Sequence, residues 1–552
     1  MKPVGNRVLY TGDCNYLFAH HYGRSAQGRY TPEVLHGHVD LLADSGVDTC
    51  VVNPNGQVPW YPSRALPHVL TGYRRGDLDF FRGHYPPTDE QFTAEMLEAH
   101  LRVDATMLDR YLDLAEAGVD WVAEMARACR RRRIAPWLSI RMNDAHGGNS
   151  WEGSYMNCAL QGDPRYRLTA KRLNPRHGCN SLMAVCDYAH QEVRDYYFAM
   201  IRELVESYGY EGLELDWLRT PSCCEPPASQ QNVEAMLDWM ARVRELTSRQ
   251  AQQTGRPYPL GLRIPCRMEA LRTIGLDVPA MARRGLIDFV GFSNTWQTTW
   301  DVPYDRLRAE LGDDVAIYGV VEDAPNWMFA LDPTTGQQGY RLLSTSEALL
   351  RGNAAGKLAM GVDGIEFFNF FCSDAHGVHP AAGLGAARYD AIRGLGDLQY
   401  LRGKPKQYAL ATSYNYWAST FFEYADQVPA TVERGAWRRF DISLCAEPAD
   451  AGLALSLQIV VERRKDLPEL GVSLNGSWPT FAATPTDRLL MPTGVYTHHV
   501  PEHVGLNYQL DISGLRDGWN QIVVYDGAED ASPQTHHANC GVRICGLELA
   551  VA

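Results

Sequence analysis

Short apolar segments alternate with longer amphipathic ones from the N-terminus to about residue 400, and this rhythm constrains the fold more than any other feature of the sequence. The short segments are typical of buried strands. The long segments repeat apolar residues at the three-and-four spacing of a helix that buries one face. Eight strand–helix units in roughly 390 residues predict a (β/α)8 barrel with insertions.

The same alternating pattern predicts where each strand and helix lies in the sequence. The predicted strands are 7–13, 47–55, 134–144, 210–217, 259–265, 287–296, 314–323 and 362–371. The predicted helices are 32–45, 111–133, 187–208, 232–253, 278–284, 303–311, 346–360 and 387–398. The main alternative is a doubly wound open sheet, which usually carries a glycine-rich phosphate loop after its first strand. The segment TGDCNYLF is not such a loop, so the barrel is favoured.

After residues 401–407 the pattern changes to the period of two that is typical of half-buried strands. The segments LALSLQIVV, NQIVVYDG and GLELAV show it, and NGSWP and RDGWN supply turns between them. This tail predicts an antiparallel β-sandwich. We therefore expect a catalytic barrel at 1–400, with an irregular insert at about 56–104, and a C-terminal β-sandwich domain at 401–552.

Composition excludes several classes of partner. The chain carries 52 Lys plus Arg against 66 Asp plus Glu, a formal charge of −14, which disfavours nucleic acid and anionic membranes as partners. No apolar run is long enough to span a bilayer, and the first residues lack the apolar region of a secretory signal. We therefore expect a cytoplasmic protein, with a secreted form whose signal has been removed as the alternative. The 13 cysteines form no CxxC pair, and we interpret them as mostly reduced thiols, with Cys223 and Cys224 in a solvated loop. Self-association into a homo-oligomer is left open.

Polar side chains follow the predicted strands at the ends where a barrel places its active site. Any one of them could be a capping or salt-bridged loop residue, but the complete set favours a polar ligand. In chain order the set is Asp13, Asn53, Arg141, Asn143, Asp144, Glu214, Asp216, Arg219, Arg263, Asn294, Trp296, Glu322, Trp327, Glu366 and Asn369.

Glu214 and Asp216 are two residues apart, so they point to the same side of the fourth strand, and burial against the helix layer would be costly. Both are expected to point into the barrel, where each would raise the pKa of the other, as suits a general acid. Glu322 ends the seventh strand, roughly opposite. Two facing carboxylates are what retaining and inverting glycoside hydrolysis require. The alternative is a buried layer in which Arg141 and Arg263 pair with these acids.

Aromatic side chains are also frequent near the predicted strand ends. Flat rings bind the apolar faces of sugars, while Asn, Arg and His hydrogen-bond to the hydroxyls. The tryptophans predicted to lie in or near these loops are Trp60, Trp151, Trp217, Trp296, Trp300 and Trp327.

The segment YEGLELDWLRTP resembles the fourth-strand signature of glycoside hydrolase barrels. Against the Asp-Gly-x-Asp-x-Asp-x-Glu pattern of family 18 chitinases, Gly212, Glu214 and Asp216 match, but Leu218 replaces the catalytic glutamate, which argues against substrate-assisted chemistry. The segment also resembles family-10-like bacterial glycosyl hydrolases. In the large clan of retaining barrels the acid/base ends strand four and the nucleophile ends strand seven, which implies Glu214 or Asp216 with Glu322. The Asn-Glu dipeptide of that clan is missing, since Leu213 precedes Glu214.

Metal and cofactor chemistry is not expected. Zinc-dependent barrels of amidohydrolase type need a His-x-His on strand one and further histidines on strands five and six, and the sequence has neither. The working hypothesis is a hydrolase of oligo- or polysaccharides that uses Glu214 or Asp216 with Glu322, and Glu366 in reserve. Arginines near the strand ends hint at an anionic sugar. The alternatives are a non-catalytic sugar-binding barrel, which the loss of the glutamate at Leu218 favours, and a polysaccharide lyase.

Overall fold

A computed structural model of the chain describes residues 7–18, 29–90, 92–144, 153–168, 185–218, 221–293, 298–322, 327–331, 338–342, 346–370, 389–411, 427–463, 469–478, 483–490, 503–527 and 541–552. Eight parallel strands close into a barrel in the order β1-β10-β7-β6-β5-β4-β3-β2. They are β1 (Val8–Gly12), β2 (Thr49–Val52), β3 (Ala135–Arg141), β4 (Leu213–Asp216), β5 (Leu260–Ile264), β6 (Phe289–Phe292), β7 (Ala316–Glu322) and β10 (Gly364–Phe368). Each lies within a predicted strand, so the predicted (β/α)8 barrel is confirmed. The sequence did not predict the hairpin of β8 (Trp327–Leu331) and β9 (Gln338–Leu342), which follows β7.

Helices pack outside the barrel strands. They are α1 (Glu33–Asp44), α2 (Ala94–Glu116), α3 (Trp121–Arg131), α4 (Ala159–Gly162), α5 (Gln191–Ser207), α6 (Gln230–Thr254), α7 (Met268–Thr273), α8 (Val278–Arg283), α9 (Tyr304–Leu311), α10 (Glu347–Ala359) and α11 (Leu398–Leu401).

Two helix predictions are wrong. The helix predicted at 111–133 is two helices, α2 and α3, and α2 begins inside the predicted insert. Gly118 has a left-handed φ of 73°, which ends α2, and the Asp120 side chain accepts from the Val122 and Ala123 amides to start α3. The helix predicted at 387–398 is wrong in its described part, which forms a single 3-10 turn at Tyr389–Ile392 and then α11.

The lower half of the barrel interior is an apolar layer. Its members come from five strands and touch one another around the barrel axis: Leu9, Val51, Trp137, Phe289 and Tyr318. All are at most 2% exposed, so this layer closes the bottom of the barrel. Because side chains on one face of a strand recur every second residue, the next inward positions along each strand lie above this layer, towards the carboxyl ends.

The C-terminal part is a β-sandwich of two antiparallel sheets, as predicted. The larger sheet has the order β11-β19-β14-β17-β16 with β12 also on β19, and the smaller has the order β13-β18-β15. The strands are β11 (Lys406–Ala411), β12 (Ala430–Val432), β13 (Trp437–Leu444), β14 (Leu455–Glu462), β15 (Leu470–Leu474), β16 (Thr484–Thr486), β17 (His503–Leu510), β18 (Gly518–Asp526) and β19 (Val542–Val551). Their facing side chains form a separate apolar core.

The sandwich is in contact with the barrel. The Ser443 amide and hydroxyl both donate to the carbonyl of Trp300, at 3.0 and 2.8 Å. Trp300 and Leu349 of the barrel pack into the apolar core of the sandwich. The indole of Trp519 donates to Asp305 at 3.2 Å. The segment after β6 and helix α10 therefore join the two domains.

The ten described cysteines are free thiols and buried. The prediction of a solvated Cys223–Cys224 pair is wrong, because both side chains are fully buried beside Tyr188 and Ile274. Burial raises the pKa of Cys224 to about 12, which makes it a poor nucleophile. In the described residues, no helix combines the length and apolarity that a bilayer crossing requires.

Candidate active site

Polar side chains fill the upper half of the barrel interior in two layers. Each strand contributes through positions two residues apart, which share one face. The polar pairs, lower member first, are Thr11 and Asp13, Ser139 and Arg141, and Glu214 and Asp216, while Ser293 lies above Gly291 and Glu322 above Val320. These alternating positions bring acidic residues from several strands around one axis, as the sequence predicted for Glu214 and Asp216.

In the upper layer, Asp216 forms an ion pair with Arg263 on the neighbouring strand, where the two residues are in register. The Arg263 Nη2 to Asp216 Oδ2 distance is 2.5 Å, and the Leu218 amide donates to Asp216 Oδ1 at 2.9 Å. Both side chains are at most 2% exposed. The carboxylate of Asp216 is thus fixed by a guanidinium and a backbone amide.

Arg263 is the central cation of the site. Its guanidinium lies over the ring of Phe368, 3.4 Å from the centroid, and its Nε and Nη1 have no hydrogen-bond partner within the described ranges. Burial alone would lower the pKa of Arg263, but the carboxylates around it raise that pKa. In order of effect these carboxylates are Asp216, Glu214, Glu366 and Glu322. All four acidic residues proposed for catalysis therefore act on one guanidinium.

Glu214 and Glu366 form a carboxyl pair in the lower layer. Ser139 donates to one oxygen of Glu214 and Thr11 to one oxygen of Glu366, each at 2.7 Å. The two carboxyls are buried close to each other, so charge on one disfavours charge on the other. Burial and the neighbouring Glu366 raise the pKa of Glu214 well above its usual value, and burial raises that of Glu366. A side chain at Gly291 would not fit, since its Cβ would lie 2.4 Å from Glu366 Oε2.

Glu322 ends β7 in the upper layer and is 4% exposed. Ser293 Oγ donates to Glu322 Oε1 at 2.8 Å. The hydroxyl of Thr298 accepts from the Glu322 amide at 2.9 Å and donates to its carbonyl at 2.8 Å. Thr298, in the loop after β6, therefore holds the backbone of Glu322, and the Ser293 hydroxyl holds the carboxylate of Glu322 in the upper layer.

A second ion-pair group lies on the side of β1 and β3. Arg141 donates to Asp144 at 2.9 Å and also to Asp13, and its guanidinium lies 5.3 Å from the ring centre of Trp60. The side chain of Asp13 is 17% exposed. Its amide donates to the Asn369 side chain at 2.8 Å, and Asn369 has a left-handed φ of 45°. Such a conformation is uncommon outside glycine and is typical of functional sites.

Two predicted asparagines mainly hold backbone. The Asn143 amide group donates to the carbonyls of Cys186 and Ser222, and its oxygen accepts from the Cys186 amide. Asn53 donates to the Ser139 carbonyl at 2.9 Å, and its side-chain oxygen is buried with no hydrogen-bond partner in the described structure. Asn143 thus connects loops, while Asn53 offers an acceptor inside the barrel.

Some predicted site residues do not face the site or lie outside the described residues. Trp217 is fully buried against Tyr188, and Trp300 is buried in the domain contact, so neither presents a ring to the barrel mouth. Trp60 is buried as well, beneath Arg141. Arg219, Asn294, Trp151 and Trp296 lie outside the described residues, and of Trp327 only the backbone in β8 is described.

Sequence reasoning missed the hydroxyl groups that hold the carboxylates. These residues are Thr11, Ser139, Ser293 and Thr298. The first three occupy inward positions that alternation would identify: Thr11 two residues before Asp13, Ser139 two before Arg141, and Ser293 directly after β6. No group of three His, Cys, Asp or Glu residues that could hold a metal ion occurs among the described side chains.

Comparisons with known proteins find remote similarity only. No family model matches the chain, and no curated protein matches it. Among solved structures, the cycloisomaltooligosaccharide glucanotransferase of Paenibacillus sp. is 9% identical over 99% of this chain and 57% of its own, with a TM-score of 0.30. Alpha-L-fucosidase isoenzyme 2 of Paenibacillus thiaminolyticus is 12% identical over 71% of this chain and 49% of its own, with a TM-score of 0.38. The glycoside hydrolase domain of PgaB (BpsB) from Bordetella bronchiseptica is 10% identical over 72% and 99%, with a TM-score of 0.39.

The chain thus spans only about half the length of the first two of these structures. Similarity at this level does not assign an activity to this chain, so the function has to be inferred from the side chains inside the barrel.

Proposed function

We propose that the chain is a glycoside hydrolase whose active site is the upper polar layer of the barrel. The observation that carries this proposal is the excess of acid there. Four carboxylates, Asp13, Asp144, Asp216 and Glu322, surround two guanidinium groups, those of Arg141 and Arg263. Glycoside hydrolysis passes through an oxocarbenium-like transition state that carries positive charge. A preformed site with net negative charge stabilises such a transition state.

We assign different roles to the two carboxylates of the reaction. Asp216 accepts from Arg263 and from a backbone amide, so both of its oxygens are held in place, and we assign it the role of the nucleophile or of the electrostatic stabiliser. Glu322, whose carboxylate accepts from the Ser293 hydroxyl, is the second acid of the upper layer that acts on Arg263, and we assign it the proton transfer to the leaving group. This reverses the roles implied by the resemblance to retaining barrels.

The lower carboxyl pair supports the site and does not carry out the reaction. Glu214 and Glu366 are fully buried in the lower layer, and each has one oxygen without a hydrogen-bond partner in the described structure. We therefore propose that they position Arg263 through its charge, and that neither is the acid/base.

The substrate is proposed to be an uncharged sugar. The hint of an anionic substrate rested on the arginines near the strand ends, but Arg141 and Arg263 already form ion pairs with carboxylates of the chain. An anionic group entering the layer would meet an excess of negative charge. Sugar hydroxyls would instead find the buried donors of Arg263 and the acceptor of Asn53.

The test is hydrolysis of a panel of nitrophenyl glycosides by the wild type, Asp216→Asn, Glu322→Gln and the control Glu211→Gln. Glu211 immediately precedes β4 at the opposite end of the barrel and lies close to Arg130 and Arg256. We expect Asp216→Asn to lower kcat by about 10²–10⁴-fold on every substrate that the wild type cleaves. Glu322→Gln should lose much less on nitrophenyl substrates, whose leaving group needs no proton, than on natural glycosides.

Three results would overturn the proposal. Wild-type turnover in Asp216→Asn would remove the upper layer from catalysis. Sugar binding by the wild type without hydrolysis of any substrate would favour the non-catalytic barrel. Products that absorb in the ultraviolet through a new C=C bond would identify a lyase instead.

A further inference from the structure

The outer face of the small sandwich sheet carries three exposed aromatic side chains at one end. Trp437 on β13 is 66% exposed, Tyr525 on β18 is 39% exposed, and Trp478, just after β15, is 59% exposed. Exposed tryptophans are unusual in a soluble chain, and a cluster of them marks a binding surface. We call these three residues the aromatic row.

The aromatic row is built by strand register. Trp437 lies directly opposite Tyr525, and Tyr525 lies opposite Gly471 on β15. A side chain at Gly471 would crowd the row, since its Cβ would lie 3.3 Å from the Trp478 ring and 3.6 Å from the Tyr525 ring. The three rings therefore extend across all three strands of the sheet.

We propose that this outer face is a second carbohydrate-binding surface, on which an uncharged glycan chain lies against Trp437, Tyr525 and Trp478. Nothing in this proposal requires the barrel to be a hydrolase. It concerns a different domain and a different set of side chains from the polar layers of the barrel.

The chemistry of the neighbouring positions supports a sugar as the occupant. On the same face, two and four residues along β13, Arg439 and Asp441 form an ion pair with an Nε to Oδ1 distance of 2.7 Å. This pair has no net charge and presents both donors and acceptors. Flat rings beside such groups match the apolar faces and the hydroxyls of a pyranose.

The size of the row argues against a protein partner. A fully exposed aromatic side chain offers roughly 150–250 Å², so the exposed parts of these three amount to about 250–400 Å². A stable protein interface needs about 800 Å² on each partner. The row is therefore too small for a stable dimer or protein complex, whereas a single polysaccharide chain needs no larger surface.

The same face leads to the barrel. Ser443 on β13 and Trp519 on β18 lie opposite each other on this face and make the contacts with Trp300 and Asp305. Ser443 comes six positions after Trp437, which is a distance of roughly 20 Å along the strand. The contacted segment also contains Thr298, which holds the backbone of Glu322. A polymer bound along the face would thus be held near the rim of the barrel.

The test is affinity electrophoresis of the full chain in gels that contain a soluble β-glucan, a xylan, a galactomannan or a polyuronate. We compare the wild type with the double variant Trp437→Ala/Tyr525→Ala and with Tyr400→Ala. Tyr400 is 45% exposed on α11, outside the sheet, and is the matched control for loss of an exposed ring. Thermal unfolding confirms that each variant folds.

We expect at least one neutral polysaccharide to retard the wild type and Tyr400→Ala equally, and the double variant about tenfold more weakly. Retardation should persist at high salt, since no net charge is involved. The proposal is overturned if no neutral polysaccharide retards the wild type, or if the double variant is retarded normally. Binding to the polyuronate alone, abolished by salt, or a dimer that the double variant loses, would also overturn it. Loss of glycoside hydrolysis in Asp216→Asn bears on the barrel only and leaves these outcomes unchanged.

Discussion

The barrel and the sandwich both enclose a core, but they fill it with different chemistry. In the sandwich, apolar residues such as Phe440, Ile459 and Leu547 fill the space between the sheets, and a buried ion pair, Lys406 with Glu447 at 2.7 Å, lies beside this core. In the barrel, the apolar layer fills only the lower half, and buried Asp216 and Arg263 occupy the upper half. Burying charge costs free energy that an apolar core would save. The difference indicates that the upper half of the barrel serves binding and chemistry, whereas the sandwich core serves stability.

The largest effect is expected from breaking the central ion pair of the barrel. Arg263→Met keeps an unbranched apolar side chain but leaves Asp216 buried without its cation. We expect the free energy of unfolding to fall by about 3–5 kcal/mol, measured by urea denaturation. The double variant Arg263→Met/Asp216→Leu should recover much of this loss and remain inactive. If Arg263→Met alone has wild-type stability, the folded state does not depend on the ion pair between Asp216 and Arg263.

The sequence predicts which strands and which acidic residues form this site better than it predicts the side chains with which those acidic residues interact. Alternation along β4 already placed Glu214 and Asp216 on one inward face, and register between neighbouring strands made Arg263 a possible partner. The contact between Glu214 and Glu366 joins strands that are not neighbours in the barrel, so it depends on side-chain length and on the space left by Gly291. No local pattern encodes such a contact.

The wrong helix predictions have a local cause as well. Apolar spacing continues through 111–133, although Gly118 and Asp120 supply the end of one helix and the start of another. Because the prediction gave the periodicity more weight than these capping residues, it joined two helices into one.

A smaller loss is expected from the apolar core of the sandwich. Leu547 is fully buried on β19, opposite Ile459. Leu547→Ala should lower the free energy of unfolding by about 3 kcal/mol because it leaves a cavity. Turnover of a nitrophenyl glycoside should stay at the wild-type value below the unfolding transition. A large fall in kcat in the folded variant would contradict the division of roles between the two cores.

The carboxyl pair of the barrel should make stability fall as pH rises. Burial raises the pKa of Glu366, so above the unfolded-state value of about 4.5 the folded state holds a proton that the unfolded state has lost. Folding is then opposed by up to about 1.4 kcal/mol for each pH unit until the folded-state pKa is passed. Glu366→Gln removes this group and should flatten the slope in urea denaturations at pH values above 4.5, whereas Glu211→Gln should not. An unchanged slope in Glu366→Gln would show that Glu366 is not the group that keeps a proton in the folded state.

The smallest effect is expected at Lys357, which lies in α10 between the two cores. It is 2% exposed, and its Nζ donates to the Val320 carbonyl at 2.6 Å and to Asn353. Burial lowers the pKa of Lys357 to about 7, while Glu322 and Asp301 oppose that shift. The folded-state pKa lies below the unfolded value of 10.5, so between these values only the unfolded state keeps the proton, and stability rises with pH.

Between pH 7 and 8 this rise should be about 1 kcal/mol in the wild type, and Lys357→Met should lack it. Lys404→Met, which changes a surface lysine beside Tyr400, is the control and should keep the rise. A rise that survives in Lys357→Met would place its origin in another group. Because the slope of Glu366 has the opposite sign and belongs to the barrel interior, the two variants together separate the pH response of the polar layers from that of the contact between the domains.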